Sequence, residues 1–483
     1  MTTYIHTPAH LTLCAALAAL LLGGCSFIPT YERPAAPVPD SYPAASASDT
    51  AVAKAAADID WQDYFTDPHL RTLIQLALQN NRDQRMAMLR VEQARAQFDI
   101  QRSAEYPAVS GIGTFTRQPS TTTGQYGSVY QVGLGITSWE IDFFGRIAAL
   151  KEQALAQYLA TDEARKASQI SLVSAVASGW LALVSDEELM DLSRRTLKTR
   201  EESVNLTRLR LDNGVSSELD MRQAESLAEQ ARATLAQQQR QRMLDENAVA
   251  LLIGQAIPDE VRASLGSSRL AKTAPMQALP AGLPSDLLQH RPDILAAEQQ
   301  LIAANANIGA ARAAFFPRIS LTAQVGTVSS DLSGLFKGGS WAFSLAPQAV
   351  LPIFDAGRNQ ANLEAAQVGR DIAVAQYEKS IQTAFREVAD ALAGRATLQA
   401  QLDAQTAQTR SDTRRFELSD LRYRNGVASY LDLLDAQRSL FSSEQALVLT
   451  RLQQLQNQVA LYKVLGGGWS KEADTTAAAS KNG

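Results

Sequence analysis

Thiols are nearly absent from this chain. Its 483 residues include two cysteines, Cys14 and Cys25. Nothing downstream is left for a disulfide framework or a thiolate metal cage. Histidine is as scarce: only His69 and His290 lie beyond residue 25, and neither has a Cys, a His or paired carboxylates at ligand spacing. P-loop, dinucleotide and GxSxG patterns are missing too. No enzyme chemistry emerges, no metal site, and no cofactor apart from a covalent lipid argued below. His290 lies among prolines and reads as a helix-entry residue rather than a catalyst. A basic excess is also lacking. The formal net charge is -5, with 45 Lys and Arg interspersed among 50 Asp and Glu, which argues against nucleic acid as a partner. Beyond residue 24 no run of about 18 apolar residues occurs, so no transmembrane helix is expected there. Aromatics make up 6% of a chain that is 46% hydrophobic. Small side chains suit helices packed closely along their length more than a thick globular core.

What is present begins with an export signal. Leu11 to Leu22 is an apolar run of signal-peptide length, although residues 1–10 carry no Lys or Arg. Leu22-Gly23-Gly24-Cys25 follows and looks like a bacterial lipobox. On that reading residues 1–24 are a lipoprotein signal peptide, Cys25 carries the lipid, and Ser26 directs the protein to the outer membrane. Residues 25–60 hold Pro29, Pro34, Pro37, Pro39 and Pro43 among Ala and Ser, an extended tether.

The chain also repeats itself. Leu209–Ala224 and Leu421–Ala436 share nine identities in sixteen positions at an offset of 212 residues. Gly145-Arg146 and Gly357-Arg358 keep that offset, and Tyr106-Pro107 and Phe316-Pro317 stand 210 apart. The unit is too long for a solenoid repeat. It implies an internal duplication, with repeats over 61–254 and 284–469, a break over 255–283 rich in Pro and Gly, and a tail over 470–483 that reads as disordered.

Each repeat combines strands with very long helices. Tyr130, Val132, Leu134 and Ile136 alternate with Gln131, Gly133, Gly135 and Thr137. Ile319–Val325 and Trp341–Ala346 repeat this alternation. Two hairpins are expected, over 107–142 and 317–354, with loops at 117–128 and 327–340. Strands of about ten residues are long enough to cross a bilayer when tilted, and the smallest such barrels have about eight strands. Four strands therefore need partners from other copies. A helix is expected from Leu70 to Ala104. Arg146–Asp212 and Arg358–Arg424 contain no proline, and at about 1.5 Å per residue each would span about 100 Å as a helix. Val173, Val176, Trp180 and Leu183 form a packing stripe. Asn213-Gly214 and Asn425-Gly426 supply caps and reversals, and return helices end near Leu252 and Leu465.

Gly282–Ile294, with its His290-Arg291-Pro292-Asp293 core, together with Ala304–Gly309, Ala313–Pro317, Tyr430–Gln437 and Leu461–Trp469, strongly resembles the TolC superfamily, in particular the OprM-like outer-membrane lipoproteins of tripartite efflux pumps. The resemblance covers about residues 25–469. It implies a mixed fold: a homotrimer whose four strands per chain form a 12-stranded outer-membrane β-barrel, continuous with a long periplasmic α-helical barrel. It implies a passive gated duct exporting drugs or other small toxic compounds, with a membrane-fusion adaptor and an inner-membrane RND pump as partners. It places a periplasmic gate at Leu431 and Asp435, with Arg424 holding the tips together. Asp432 and its duplicate Asp220 are further gate candidates. A ring of carboxylates is one reading of this pair; the other is a helix N-terminal charge favoured by the dipole. Asn213, Gly214, Val215, Asn425, Gly426 and Val427 are the expected adaptor-contacting tips. A type I protein-secretion duct shares the fold. A lipid-anchored coiled-coil scaffold without a pore is the reading from another class, and the four alternating strands oppose it.

Overall fold

The computed structural model describes residues 26–43, 56–119, 124–273, 276, 277, 279 and 284–469. The expected signal peptide, Cys25 and the tail beyond Trp469 lie outside them. Described elements run in the order α1 Trp61–Tyr64, α2 Pro68–Asn80, α3 Arg82–Ser103, β1 Val109–Pro119, β2 Tyr126–Glu140, α4 Arg146–Asp212, α5 Glu218–Ile253 and α6 Asp259–Ser264. Then come α7 Pro284–His290, α8 Pro292–Ala313, β3 Arg318–Ser329, β4 Trp341–Val350, α9 Arg358–Arg424 and α10 Tyr430–Val464. The two proline-free runs are single helices of 67 residues each. Two compact units divide the chain. One comprises residues up to Ala35, Arg90–Asp162 and Ala296–Glu378; the other comprises Ala36–Leu89, Glu163–Leu295 and Lys379 onward. Each unit draws on both sequence repeats.

The first unit carries an antiparallel sheet in the order β1-β2-β3-β4. Register across it puts Gly111, Leu134, Val325 and Phe343 in one row, and Val109, Ile136, Ala323 and Leu345 in the next. That face is apolar yet exposed at Val109, Val132, Leu134, Val325, Trp341, Phe343 and Leu345. The opposite face carries Ser110, Gly135, Gln324 and Ser344 in one row, and Gln131 Nε2 donates to Gln324 Oε1 at 2.6 Å. Among the described residues β1 and β4 each pair on one side only. The strands run further into the turns than the alternation suggested: β1 reaches Pro119 and β2 starts at Tyr126, inside the loop expected over 117–128. A register shift between Ile136 and Trp139 also interrupts the β2–β3 ladder, with Ser138 at φ 54°.

The N-terminal segment is extended, as its prolines dictate, but it is not a free tether. Phe27 stacks on Phe316 at 4.6 Å between ring centroids, and Phe316 on Phe144 at 5.0 Å. Asn305 Nδ2 donates to the Pro29 carbonyl at 2.7 Å. Arg33 clasps the Glu298 carboxylate with Nε at 2.7 Å and Nη2 at 2.9 Å.

In the second unit the expected stripe is core: Val173, Val176, Trp180 and Leu183 are all buried. Helix α4 holds an 18-residue window of mean hydropathy 1.5, and 56% of that window is buried inside the chain. Packing within the chain covers just over half of that apolar window. Tyr64 stacks on Tyr462 at 4.0 Å. Asp67 caps α2 through the His69 and Leu70 amides and also accepts from Trp180 Nε1 at 3.0 Å, so one carboxylate starts one helix and fixes it to another.

The helix expected over 70–104 is broken at Asn81. No proline or glycine stands there. Asn81 has extended backbone, its Oδ1 accepts the Gln84 amide at 2.9 Å, and its Nδ2 donates to the Leu252 carbonyl at 2.9 Å. The side chain ends one helix, caps the next and ties both to α5. The break at 255–283 contains α6 and two short 3₁₀ turns. His290 closes α7, its Nδ1 bonded to the Asp286 carbonyl at 2.9 Å. The buried Arg291 joins the Val464 carbonyl at 3.0 Å to Asp293 and Glu387, which explains the polar core of that motif.

Candidate functional site at the helical reversals

The duplicated Asn-Gly turns close α4 and α9 in one geometry. Gly214 and Gly426 sit at φ 73° and 75°. The Val215 amide donates to Arg210 and the Gly214 amide to Leu211, both at 2.9 Å; Val427 and Gly426 repeat this with Arg422 and Tyr423 at 2.9 and 3.0 Å. This is the Schellman pattern, which satisfies helix-end carbonyls through a left-handed residue. Asn213 and Asn425 each donate from Nδ2 to the carbonyl four residues back at 2.7 Å. Val215 and Val427 are exposed.

Asp220 and Asp432 take the helix-start position. Each is the third residue of a capping box, reciprocally bonded with Ser217 in α5 and Ser429 in α10. Burial pushes the Asp220 carboxyl up, but the hydrogen bonds of Ser217 and Ser216 and the charge of Arg210 outweigh it and hold the carboxyl below the ordinary value. Hydrogen bonds from Ser429 lower Asp432. Both side chains are therefore engaged in starting their own helices.

Asp435 is paired with Arg415 of α9, and Arg415 also donates from Nη1 to Ser439 Oγ at 3.2 Å. Arg424 bonds Asp420, one turn back on its own helix, at 2.8 Å. Leu431 is 62% exposed, so an apolar side chain and a carboxylate, four residues apart, share one exposed helix face. Beneath them lies a small core of Ala224, Leu227, Tyr423, Tyr430, Leu433 and Leu434. The Tyr423 and Tyr430 rings are 5.4 Å apart, and the Arg210 guanidinium stands 4.6 Å from the Tyr423 ring. Burial raises the Tyr430 hydroxyl pKa. Sequence reasoning missed Arg415, Tyr423, Tyr430 and Arg210. Counting outward from Gly426 finds three of them: Arg415 lies eleven residues before it and Asp435 nine after, and Tyr423 and Tyr430 lie three before and four after. Antiparallel helices bring such mirror positions together. Among the described residues no group of three or more His, Cys, Asp or Glu could hold a metal ion.

The outer membrane efflux protein family matches this chain twice, over residues 73–255 and 283–467. The chain belongs to that family. The two matches coincide with the two copies of the internal duplication. The probable efflux pump outer membrane protein TtgC of Pseudomonas putida is 47% identical over 470 residues, covering 95% of this chain and 96% of that protein. The solvent efflux pump outer membrane protein SrpC of Pseudomonas putida is 48% identical, covering 94% and 97%. In structure, the open state of the MtrE outer membrane channel of Neisseria gonorrhoeae superposes with a TM-score of 0.83 at 42% identity, covering 92% of this chain and 98% of that one. The family expected from the motifs is therefore the family observed, with its four-stranded sheet and duplicated helical repeats.

Proposed function

We propose that this chain is the outer-membrane duct of a tripartite efflux pump. The observation that carries the reading is the four-stranded meander. It exposes one continuous apolar face and, among the described residues, pairs β1 and β4 on one side only. Open sheet edges are not tolerated in lipid, and four strands cannot close. In a four-strand meander β1 and β4 run in opposite directions, so β4 of one copy can pair antiparallel with β1 of the next. Three copies give a 12-stranded barrel. Cys25 carries the lipid anchor. The long helices line the periplasmic duct, and the tips at Asn213, Gly214, Val215, Asn425, Gly426 and Val427 receive a membrane-fusion adaptor joined to an inner-membrane RND pump. Small toxic compounds are the cargo, organic solvents among them, the class in the name of the relative SrpC. Leu431 and Asp435 form the gate, with Arg424 at its margin. Native mass spectrometry of the full chain in detergent tests the assembly. Three chains per particle, each with the mass of a lipid on a chain beginning at Cys25, are expected; a monomer that retains Met1 overturns it.

A further inference from the structure

Helices α4, α9 and α10 line a cavity of about 130 Å³, open on one side, that no role described above uses. Its wall is part apolar, with Leu192, Phe416, Leu440 and Phe441, and part polar, with Arg200 and Gln437. Arg200 is 4% exposed. Its guanidinium carbon stands 5.3 Å from the Phe441 ring centroid. Among the described residues it makes one hydrogen bond, from Nη1 to the Leu227 carbonyl at 2.9 Å, and its buried Nε finds no partner there. The Gln437 Oε1 acceptor, on the same wall, is buried and unpartnered as well.

A bridging water can satisfy both polar atoms, but it leaves the charge uncompensated. A buried cation is costly unless it is paired. No described carboxylate forms an ion pair with Arg200, although many other arginines in the chain have one. Glu444 lines the same cavity without reaching it, and burial pushes the Glu444 carboxyl up against the opposing charge of Arg195. Arg195 stands on the cavity wall, and Arg438 is close enough to disfavour the charge on Arg200. Arg195 is already paired with Asp191 at 3.7 Å, which leaves Arg200, among the described residues, as the buried cation of this wall without a carboxylate.

We propose that this cavity is a binding site for a small carboxylate anchored by Arg200, with its apolar body against Phe441, Phe416 and Leu440. The planar guanidinium is the side chain best matched to a carboxylate, since parallel N–H donors meet both oxygens. The size fits a single ring: an apolar cavity of about 150 Å³ admits benzene. The carboxylate has two available sources, a free aromatic acid or an acidic side chain of an adjacent copy. A bound acid would tie α4 to α10 above the reversals. A free acid as the source is independent of the efflux reading; an adjacent copy as the source rests on the assembly proposed there, and benzoate binding against dissociation separates the two.

Benzoate is the probe, with benzyl alcohol as the neutral control of similar shape, on the full-length protein in detergent. Saturation-transfer NMR should show benzoate binding that saturates and exceeds that of benzyl alcohol. Arg200→Gln should weaken it about tenfold or more, and Arg200→Lys should retain part of it. An adjacent copy is the source if benzoate fails to bind and Arg200→Gln, but not Arg200→Lys, dissociates the assembly in native mass spectrometry. Benzyl alcohol binding as well as benzoate, benzoate binding unchanged in Arg200→Gln, or neither binding nor dissociation would overturn the proposal. Far-UV circular dichroism and thermal melting of both variants distinguish a misfolded protein from an emptied site.

Discussion

The Glu140 carboxylate accepts two hydrogen bonds from the single guanidinium of Arg146, at 2.8 and 2.6 Å, across the joint between β2 and α4. Arg318, the first residue of β3, reaches the same carboxylate at 2.5 Å. One acid thus fixes the end of a strand, the start of a 67-residue helix and the neighbouring strand. The Glu140 side chain is 9% exposed. Removing Glu140 strands Arg146, whose side chain is 30% exposed, and Arg318, 62% exposed, so water offsets part of the loss and the cost is about 1–3 kcal/mol. Glu140→Ala should therefore lower the melting temperature in detergent, and by more than Glu105→Ala, which breaks one pair with Lys151 whose side chains are each about a third exposed. Equal melting of the two variants would mean that the joint is held by packing alone.

A second prediction concerns pH. Asp186 is buried on α4, and its carboxyl is pushed up to about 8, first by burial, then by the hydrogen bond and charge of Asp245, against the attraction of Arg242. The folded protein holds the proton more tightly than the unfolded chain does. The protonated form's stabilisation is therefore complete at acid pH near the unfolded value of about 4 and is lost as pH rises toward about 8. Melting temperature should fall across that range by an increment that Asp186→Asn abolishes. An unchanged pH slope in Asp186→Asn, or a slope of opposite sign in the parent, would show that the Asp186–Asp245 pair does not share a proton.

The long helices were legible because their signals are local. Gly145 and Asn213-Gly214 bracket one proline-free run, and Gly357 and Asn425-Gly426 bracket the other. Strand alternation was equally local, and its register in the sheet follows the pattern of Tyr130 to Ile136. The break at Asn81 was not legible, because its decisive bond goes to a carbonyl 171 residues away. The shift at Ser138 was likewise silent, since neither glycine nor proline marks it. At the tips, the sequence singled out Asp220, Asp432, Asp435 and Arg424 as candidates but not the side chains they bond. A serine three residues before an aspartate was the available sign of a capping box. Arg200 was invisible for a different reason: an arginine in a helix ordinarily reads as a solvated residue.

The reversals themselves can be tested by one glycine. A Cβ on Gly426 would meet nothing within 4 Å, so space does not require glycine there. The φ of 75° does. Gly426→Ala should cost about 1–2 kcal/mol at the tip, and Gly426→Asn less, because asparagine visits the left-handed region more readily. Limited proteolysis should cut Gly426→Ala faster between α9 and α10, with Gly426→Asn between it and the parent. Identical cutting of all three would show that the turn is held from outside itself.

The last prediction separates the two charges of the Arg415–Asp435 pair. Both side chains are about half exposed, so the pair contributes only about 0–1 kcal/mol in one chain. Breaking it should leave the assembly folded and melting within a few degrees of the parent. In a symmetric pore, however, each charge becomes a ring, and a carboxylate ring favours cations. Arg415 masks that ring. Arg415→Ala should therefore raise cation preference in planar bilayers, whereas Asp435→Ala should lower it. Each variant loosens the tips and should conduct more than the parent. Arg424→Ala, which frees Asp420 on the same helix, should add to the conductance of Asp435→Ala, and Leu431→Ala should add further by removing an exposed apolar side chain from the proposed gate. Opposite shifts in selectivity with a common rise in conductance would place the gate at this turn. Shifts of the same sign, or none, would make Asp435 an ordinary helix-surface partner of Arg415 and move the constriction to other residues.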